Sequence, residues 1–375
     1  MARLDQICSL NMGQSPDSSS YNENGEGMPF FQGNADFGKV HPRVRVWCSA
    51  PTKVAHAGDV LISVRAPIGA LNVADRECCI GRGLAALTVN EELCNKNYLW
   101  YAIASKVDEL NSKGTGSTFK AISKNVLAET EIPLPTMEEQ QSVAEQLEKV
   151  DELISLRKEQ LAKLDELVKA RFVEMFGDPI ENVMQWHATD LNQVCTKITD
   201  GEHGSVSRTT SGHYFLNAKH VKKDGTIDWI TATHVDNEIH KKIYARCNPE
   251  PGDILLTTTG TIGNVAIVPN VEPFSMDRGI TLLKLNKEII DKDFLSVLLN
   301  FECILNVMKS NVHASAIGHL FLNQVMRIPV IVPPIKVQSQ FSTFVEQTNK
   351  TKLTIQASLD KLEVMKKALM QEYFG

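Results

Sequence analysis

The sequence repeats itself at a distance of 187 to 198 residues. Gly58-Asp59-Val60-Leu61-Ile62-Ser63 with Ile68-Gly69 returns 194 residues later as Gly252-Asp253-Ile254-Leu255-Leu256-Thr257 with Ile262-Gly263. Near each start, Leu4-Asp5-Gln6-Ile7-Cys8-Ser9 returns as Leu191-Asn192-Gln193-Val194-Cys195-Thr196; near each end, Leu134-Pro135 and Phe176-Gly177 return as Val332-Pro333 and Phe374-Gly375. A period this long exceeds any solenoid repeat and amounts to a domain with an appendage. It predicts a pseudo-symmetric molecule with two similar faces, so that what one half does the other does too.

The repeat divides the 375 residues into 1–135, a mixed α/β globule; 136–177, a long helix; 178–333, a second globule; and 334–375, a second long helix. In the first globule, Val60 to Val64 and Leu84 to Val89 read as strands, Asn97 to Leu110 as a helix, and the polar stretch Gly13 to Gly27 as a loop. Tyr214-Phe215-Leu216-Asn217-Ala218 echoes Phe30-Phe31-Gln32-Gly33-Asn34, and Arg278-Gly279 echoes Arg82-Gly83. A shared framework with divergent loops is how one scaffold is adapted to two targets.

From Glu138 to Phe176 there is no Gly or Pro, and Val143, Leu147, Val150, Ile154, Arg157, Leu161, Leu164, Val168, Arg171 and Met175 follow a heptad seam. Its counterpart runs through Phe341, Val345, Thr348, Lys352, Ile355, Leu359, Leu362, Lys366, Leu369 and Tyr373. A helix of this length cannot be buried in so small a globule, so it must find another helix. Residues 136–176 carry six basic and ten acidic side chains and residues 334–375 carry six and four, a bias that favours pairing of the two. The other possibility is that each helix packs on its own globule.

The net charge of −6 does not exclude nucleic acid, because the globules are close to neutral and local basic loops can form a positive face. No segment approaches 18 uninterrupted apolar residues, and the start carries no long apolar run; a cytoplasmic protein without a membrane span is expected. The eight cysteines include no C-x-x-C pair and read as buried reduced thiols.

Catalytic signatures are absent. No phosphate loop of the G-x-x-x-x-G-K-[ST] type occurs. No lysine has Asp or Glu two positions before it, the spacing by which many metal nucleases bring both groups to a phosphate. The Pro333-Pro334 pair follows Val332, not the Asn of a base-flipping clamp. His203, His213, His220, His234, His240, His313 and His319 lack ligand spacing, so no metal and no cofactor is expected.

Two globules carried by long helices suit a bipartite reader. Gly58-Asp59-Val60-Leu61 and Gly252-Asp253-Ile254-Leu255, Ile132-Pro133-Leu134-Pro135 followed by Glu139-Gln140-Gln141, and the two Phe-Gly helix ends resemble, in order and twice, the specificity subunit of type I restriction-modification enzymes. The resemblance covers nearly the whole chain. It implies an α/β (α+β) fold with two target recognition domains separated by a pair of long antiparallel coiled-coil helices. It also implies a non-catalytic subunit in which each domain reads one half of a bipartite double-stranded DNA sequence. The helices would set the spacer and dock two modification subunits, with restriction subunits joining the full complex. One departure stands out: Val337 occupies the Glu position of the second junction, which questions where that helix starts.

Base reading needs paired donors and acceptors, with Lys, Ser, Thr and turn amides on phosphates. On that chemistry the DNA-binding candidates are Ser63, Arg65, Arg82, Lys113, Ser117 and Lys120 in the first domain, and His203, Lys219, His220, Lys222, Lys223, Thr257, Thr259 and Arg278 in the second. Arg82 and Arg278 are equally open to reading as structural ion pairs. Two readings of another class remain: a stand-alone nuclease or methyltransferase with an unrecognised active site, and a coiled-coil adaptor for proteins alone.

Overall fold

The structure is a computed structural model that describes residues 1–116, 120–310 and 318–375. The chain forms two compact units, Met1–Lys158 with Ala357–Gly375, and Glu159–Gln356.

In the first unit a four-stranded antiparallel sheet runs in the order Cys8–Met12, Leu84–Val89, Val60–Ser63, Leu71–Val73. The second unit repeats that order with Cys195–Asp200, Ile280–Leu285, Ile254–Thr257 and Val265–Ile267. Each domain closes through a short antiparallel pair, Ala2–Arg3 with Glu131–Ile132 and His187–Asp190 with Pro329–Val332. Each also carries a second sheet built on a parallel pair, Met28–Phe31 with Cys78–Ile80 and His213–Leu216 with Ser275–Met276. That sheet has five strands in the first unit and three in the second.

The repeated Gly-Asp turn explains its own conservation between the copies. Gly58 and Gly252 both sit at φ +92°, where a side chain is strained. The next residue folds back, Asp59 accepting from His56 N at 2.8 Å and Asp253 from Glu250 N at 2.9 Å. The turn then feeds strands whose four residues are all buried.

Three expectations need correction. The Asn97 to Leu110 helix is two helices, Lys96–Ser105 and Val107–Lys113, broken at Lys106. The Gly13 to Gly27 stretch holds a 3-10 turn, Ser18–Ser20, and a strand, Tyr21–Asn22, that pairs with Val46–Cys48. The second long helix starts without difficulty at Ile335, Val337 notwithstanding.

The long helices are Met137–Phe176 and Ile335–Phe374, 40 residues each. Within the first unit their segments run antiparallel, with Gln146 against Tyr373, Asp151 against Lys366 at 2.6 Å, and Arg157 against Ser358. Within the second unit the same sense holds, with Asp165 against Lys352 at 2.5 Å and Phe172 against Phe341 at 5.5 Å between ring centres. Leu147, Val150, Val345 and Leu359 are buried, and Ile154, Leu161, Leu164, Val168, Ile355, Leu362 and Leu369 are half-buried. Each helix end is anchored in a core: Phe172 and Phe176 in the second unit, Phe374 in the first.

Among the described residues no helix is long and apolar enough to cross a membrane.

Candidate nucleic-acid interface

One end of the four-stranded sheet is held by matching backbone bonds in both domains. In the first, Val64 N donates to Gly83 O at 2.9 Å, Ile122 N to Val64 O at 3.0 Å, and Ala66 N to Lys120 O at 3.0 Å. In the second, Thr258 N donates to Gly279 O at 2.9 Å, Leu320 N to Thr258 O at 2.9 Å, and Gly260 N to Gly318 O at 3.4 Å. The neighbouring strand joins through Gly13 N to Leu84 O and Gly201 N to Ile280 O. At the centre of this frame lies a one-residue bridge, Arg65 opposite Ala121 in one domain and Thr259 opposite His319 in the other.

Arg65, Arg82 and Lys120 all belong to this end of the first domain and are exposed. Arg82 is held by its backbone N, which donates to Ser15 Oγ at 3.3 Å. Lys113 is exposed but paired with Glu109 at 2.6 Å. Ser63 is buried, its hydroxyl donating to Arg65 O at 2.8 Å, so it shapes the loop and presents nothing outward. Ser117 lies outside the described residues, as does His313.

In the second domain, Arg278 is exposed and its backbone N donates to Glu202 O at 3.0 Å. Neither Arg82 nor Arg278 has an ion pair among the described residues, which disfavours the structural reading. Two nearby arginines are engaged: Arg246 pairs with Asp200 at 3.2 Å, and Arg208 lies 3.7 Å from the centre of the Phe215 ring. His203 is exposed and bonds Asp200 through Nε2 at 2.8 Å. Thr259 bonds His319 Nδ1 at 2.6 Å. Thr257 is buried, its hydroxyl donating to Thr261 O and accepting from Asn264 N.

Lys219, on the 3-10 turn Ala218–His220, and Lys222 and Lys223, on the Lys222–Thr226 turn, form a separate exposed group, in which Lys222 pairs with Asp228 at 3.0 Å. His220 beneath them is fully buried and accepts from Asn217 N at 3.0 Å, which removes it from any surface. His319 and Ser15 were missed. No sequence motif marks either: His319 is picked out by its bridge to Thr259, and Ser15 by its hydroxyl accepting from Arg82 N.

Burial holds the imidazoles of His220, His240 and His319 below the ordinary 6.5, helped by Lys219, His213 and Arg278 respectively. A base depressed in the folded state takes up its proton first in the unfolded state. The corresponding stability is complete above the unfolded value near 6.5 and is lost as pH falls below it. All three residues belong to the second unit. Lowering the pH from 7.5 to 5.5 is therefore expected to loosen the second unit more than the first. Amide exchange corrected for intrinsic rates reads this out, and equal loosening of both units would refute it.

Comparison with known proteins places this geometry. The sequence profile of the type I restriction modification DNA specificity domain matches residues 1–166 and again 203–364. The MjaX specificity subunit of Methanocaldococcus jannaschii is 44% identical over 147 residues, which span 39% of this chain and 35% of that relative. The type I restriction enzyme MjaIX specificity subunit of the same organism is 25% identical over 334 residues, 84% of this chain and 76% of its own length. In fold, the S subunit of a type I restriction-modification system from M. genitalium matches with a TM-score of 0.60 at 18% identity, over 100% of this chain and 95% of that one. With its domain matched twice over most of its length, the chain belongs to the type I restriction-modification specificity subunit family.

Proposed function

We propose that the chain directs a type I restriction-modification complex to a bipartite double-stranded DNA sequence, each domain reading one half. The observation that carries this reading is the duplicated sheet-end frame, matched in four backbone bonds and different in its bridge side chains. A constant frame with variable side chains is what two unrelated half-sites require. Ser63, His220 and Thr257, all buried, leave the candidate set. Arg65, Arg82, Lys120, His203, Thr259 and Arg278 remain at the frame, with Lys219, Lys222 and Lys223 as a flanking basic group.

In this reading the chain performs no chemistry itself. Two modification subunits dock on it and supply methyl transfer, restriction subunits join the full complex, and the assembly works in the cytoplasm. The paired helices set the gap between half-sites, which for domains entering the groove from one side is about one helical turn of DNA, roughly 34 Å.

Exchanging residues 1–135 for another domain of the family is expected to replace one half of the methylated sequence and leave the other intact. Single-molecule methylome sequencing of a host expressing the complex reads this out. Loss of both halves together would count against independent reading, and failure of the assembled complex to bind duplex DNA would favour a protein adaptor.

A further inference from the structure

The two sheet-end frames differ in a patterned way. The turn that follows the parallel strand carries arginine in both, Arg82 and Arg278, exposed and without an ion pair among the described residues. The bridge beside that turn carries different chemistry in each: Arg65 opposite Ala121, and Thr259 opposite His319. The backbone joins turn and bridge directly, through Val64 N to Gly83 O and Thr258 N to Gly279 O, both at 2.9 Å. In the second domain Arg278 stands close enough to His319 to help hold its imidazole neutral.

We propose that each domain divides its reading head between a repeated arginine, Arg82 or Arg278, that clamps a DNA phosphate, and a variable bridge pair, Arg65 with Ala121 or Thr259 with His319, that selects a base. The proposal rests on the bipartite reading above and names the residues that perform it.

The division follows from what two half-sites share. Their base sequences are unrelated, but every half-site has the same phosphodiester backbone, so a side chain kept in both domains matches the shared part. A guanidinium on a turn pinned by hydrogen bonds is suited to a phosphate oxygen pair. The bridge offers two distinct codes. Arg65 is exposed opposite a methyl group and has no ion pair among the described residues, which suits its planar fork to guanine O6 and N7. In the other domain the Thr259 hydroxyl and His319 Nδ1 engage each other at 2.6 Å, which fixes the ring's rotation and leaves Nε2 to meet a base with a single donor or acceptor. A fork reads two acceptors on one base edge and a single atom reads one, so the two bridges present different codes.

The test transplants one bridge into the other domain. The full chain carrying Thr259→Arg with His319→Ala is expressed with its modification subunits in a methylation-free host, and the methylome is sequenced. The expected result is a guanine gained at one position of the second half-site, with the first half-site and the gap unchanged. Arg278→Ala should leave the modified sequence as it was, weaken DNA binding about tenfold, and reduce the slope of log affinity against log salt by about one.

Wild-type modification by the double variant, altered bases in the first half-site, or a base position relaxed by Arg278→Ala would each overturn the division. Should the double variant modify nothing, His319→Gln in the same complex decides the matter on a randomised half-site pool. Relaxation at one position of the second half-site supports the proposal and unchanged selection rejects it. A wild-type complex that modifies no bipartite sequence would instead sink the DNA reading itself.

Discussion

Phe176→Ala is expected to cost the second unit about 3–5 kcal/mol, a large share of what a domain of this size holds in reserve. Phe176 is fully buried, and its ring lies 5.0 Å from Phe172, 4.8 Å from Phe294 and 5.5 Å from Phe341. Phe172 extends the cluster to Phe301 at 4.6 Å. The two residues come from the last turns of the first long helix, Phe341 from the opening of the second, and Phe294 from the domain. Truncation therefore opens a cavity where helix ends and domain meet, and rings fixed by three neighbours cannot collapse into it.

The repeat supplies an internal control. Phe374 ends the second helix in the first unit, but its ring neighbours are Tyr98 at 5.2 Å and Tyr373 at 6.5 Å. Phe374→Ala should cost less than Phe176→Ala by about the worth of one aromatic contact, about 0.5–1.5 kcal/mol. Urea unfolding followed by amide exchange in each unit measures both. A Phe176→Ala protein within 1 kcal/mol of wild type, or a costlier Phe374→Ala, would show that the aromatic cluster is not the anchor.

The parts of this fold that were legible in the sequence are those whose chemistry is local and periodic. The Gly-Asp turn announces itself because only glycine sits easily at φ +92° and the following carboxylate must cap the turn. The heptad seam is visible because each of its positions is buried or half-buried at a constant spacing. What escaped was decided by tertiary partners. Nothing in Asn97 to Leu110 signals a break at Lys106, but Asn111 must reach Ile68 O at 3.1 Å, and a methyl group on Gly69 would meet the Val107 side chain at 2.9 Å. The second half-helix is turned to pack on that loop.

The candidate site divides the same way. Ser63 and Thr257 look like presented hydroxyls at strand ends, yet the loops that follow consume both. His220 lies among lysines in sequence and beneath them in space. The bridge positions became visible only when the two backbones could be compared bond by bond, because neither Ala121 nor His319 carries a motif.

The Glu-Gln junction shows why motif letters need physical roles. Glu139 caps the first helix, accepting from Thr136 N at 2.9 Å while Thr136 Oγ1 accepts from Glu139 N at 3.3 Å. The second copy has Val337 there and begins its helix regardless, so the capping box is an addition of the first copy. The glutamine is different. Gln140 is fully buried, accepts from Asn95 N at 2.8 Å, and donates to Leu93 O and Pro135 O at 3.2 and 2.9 Å. Gln338 repeats this with Asp291 N at 2.9 Å, Ile289 O at 3.0 Å and Pro333 O at 2.7 Å.

Asn95 and Asp291 cap the helices Lys96–Ser105 and Lys292–Leu299, so each glutamine ties the start of a long helix to the start of a domain helix. Gln140→Leu and Gln338→Leu each remove a fully buried amide and with it the partner of one backbone N–H and two carbonyls at a part-buried junction. The expected loss is about 2–3 kcal/mol in each, since each of the three hydrogen bonds lost is worth about 0.5–1.5 kcal/mol. Glu139→Ala removes only an exposed cap and should cost about 1 kcal/mol or less. Denaturant midpoints of the three variants separate the roles. A Gln338→Leu protein as stable as wild type, or a Glu139→Ala loss equal to that of Gln140→Leu, would mean that the junction is held by capping. Holding by the glutamine instead predicts that both domains keep a fixed attitude to the helix beginning beside them, with or without an acidic residue at the cap.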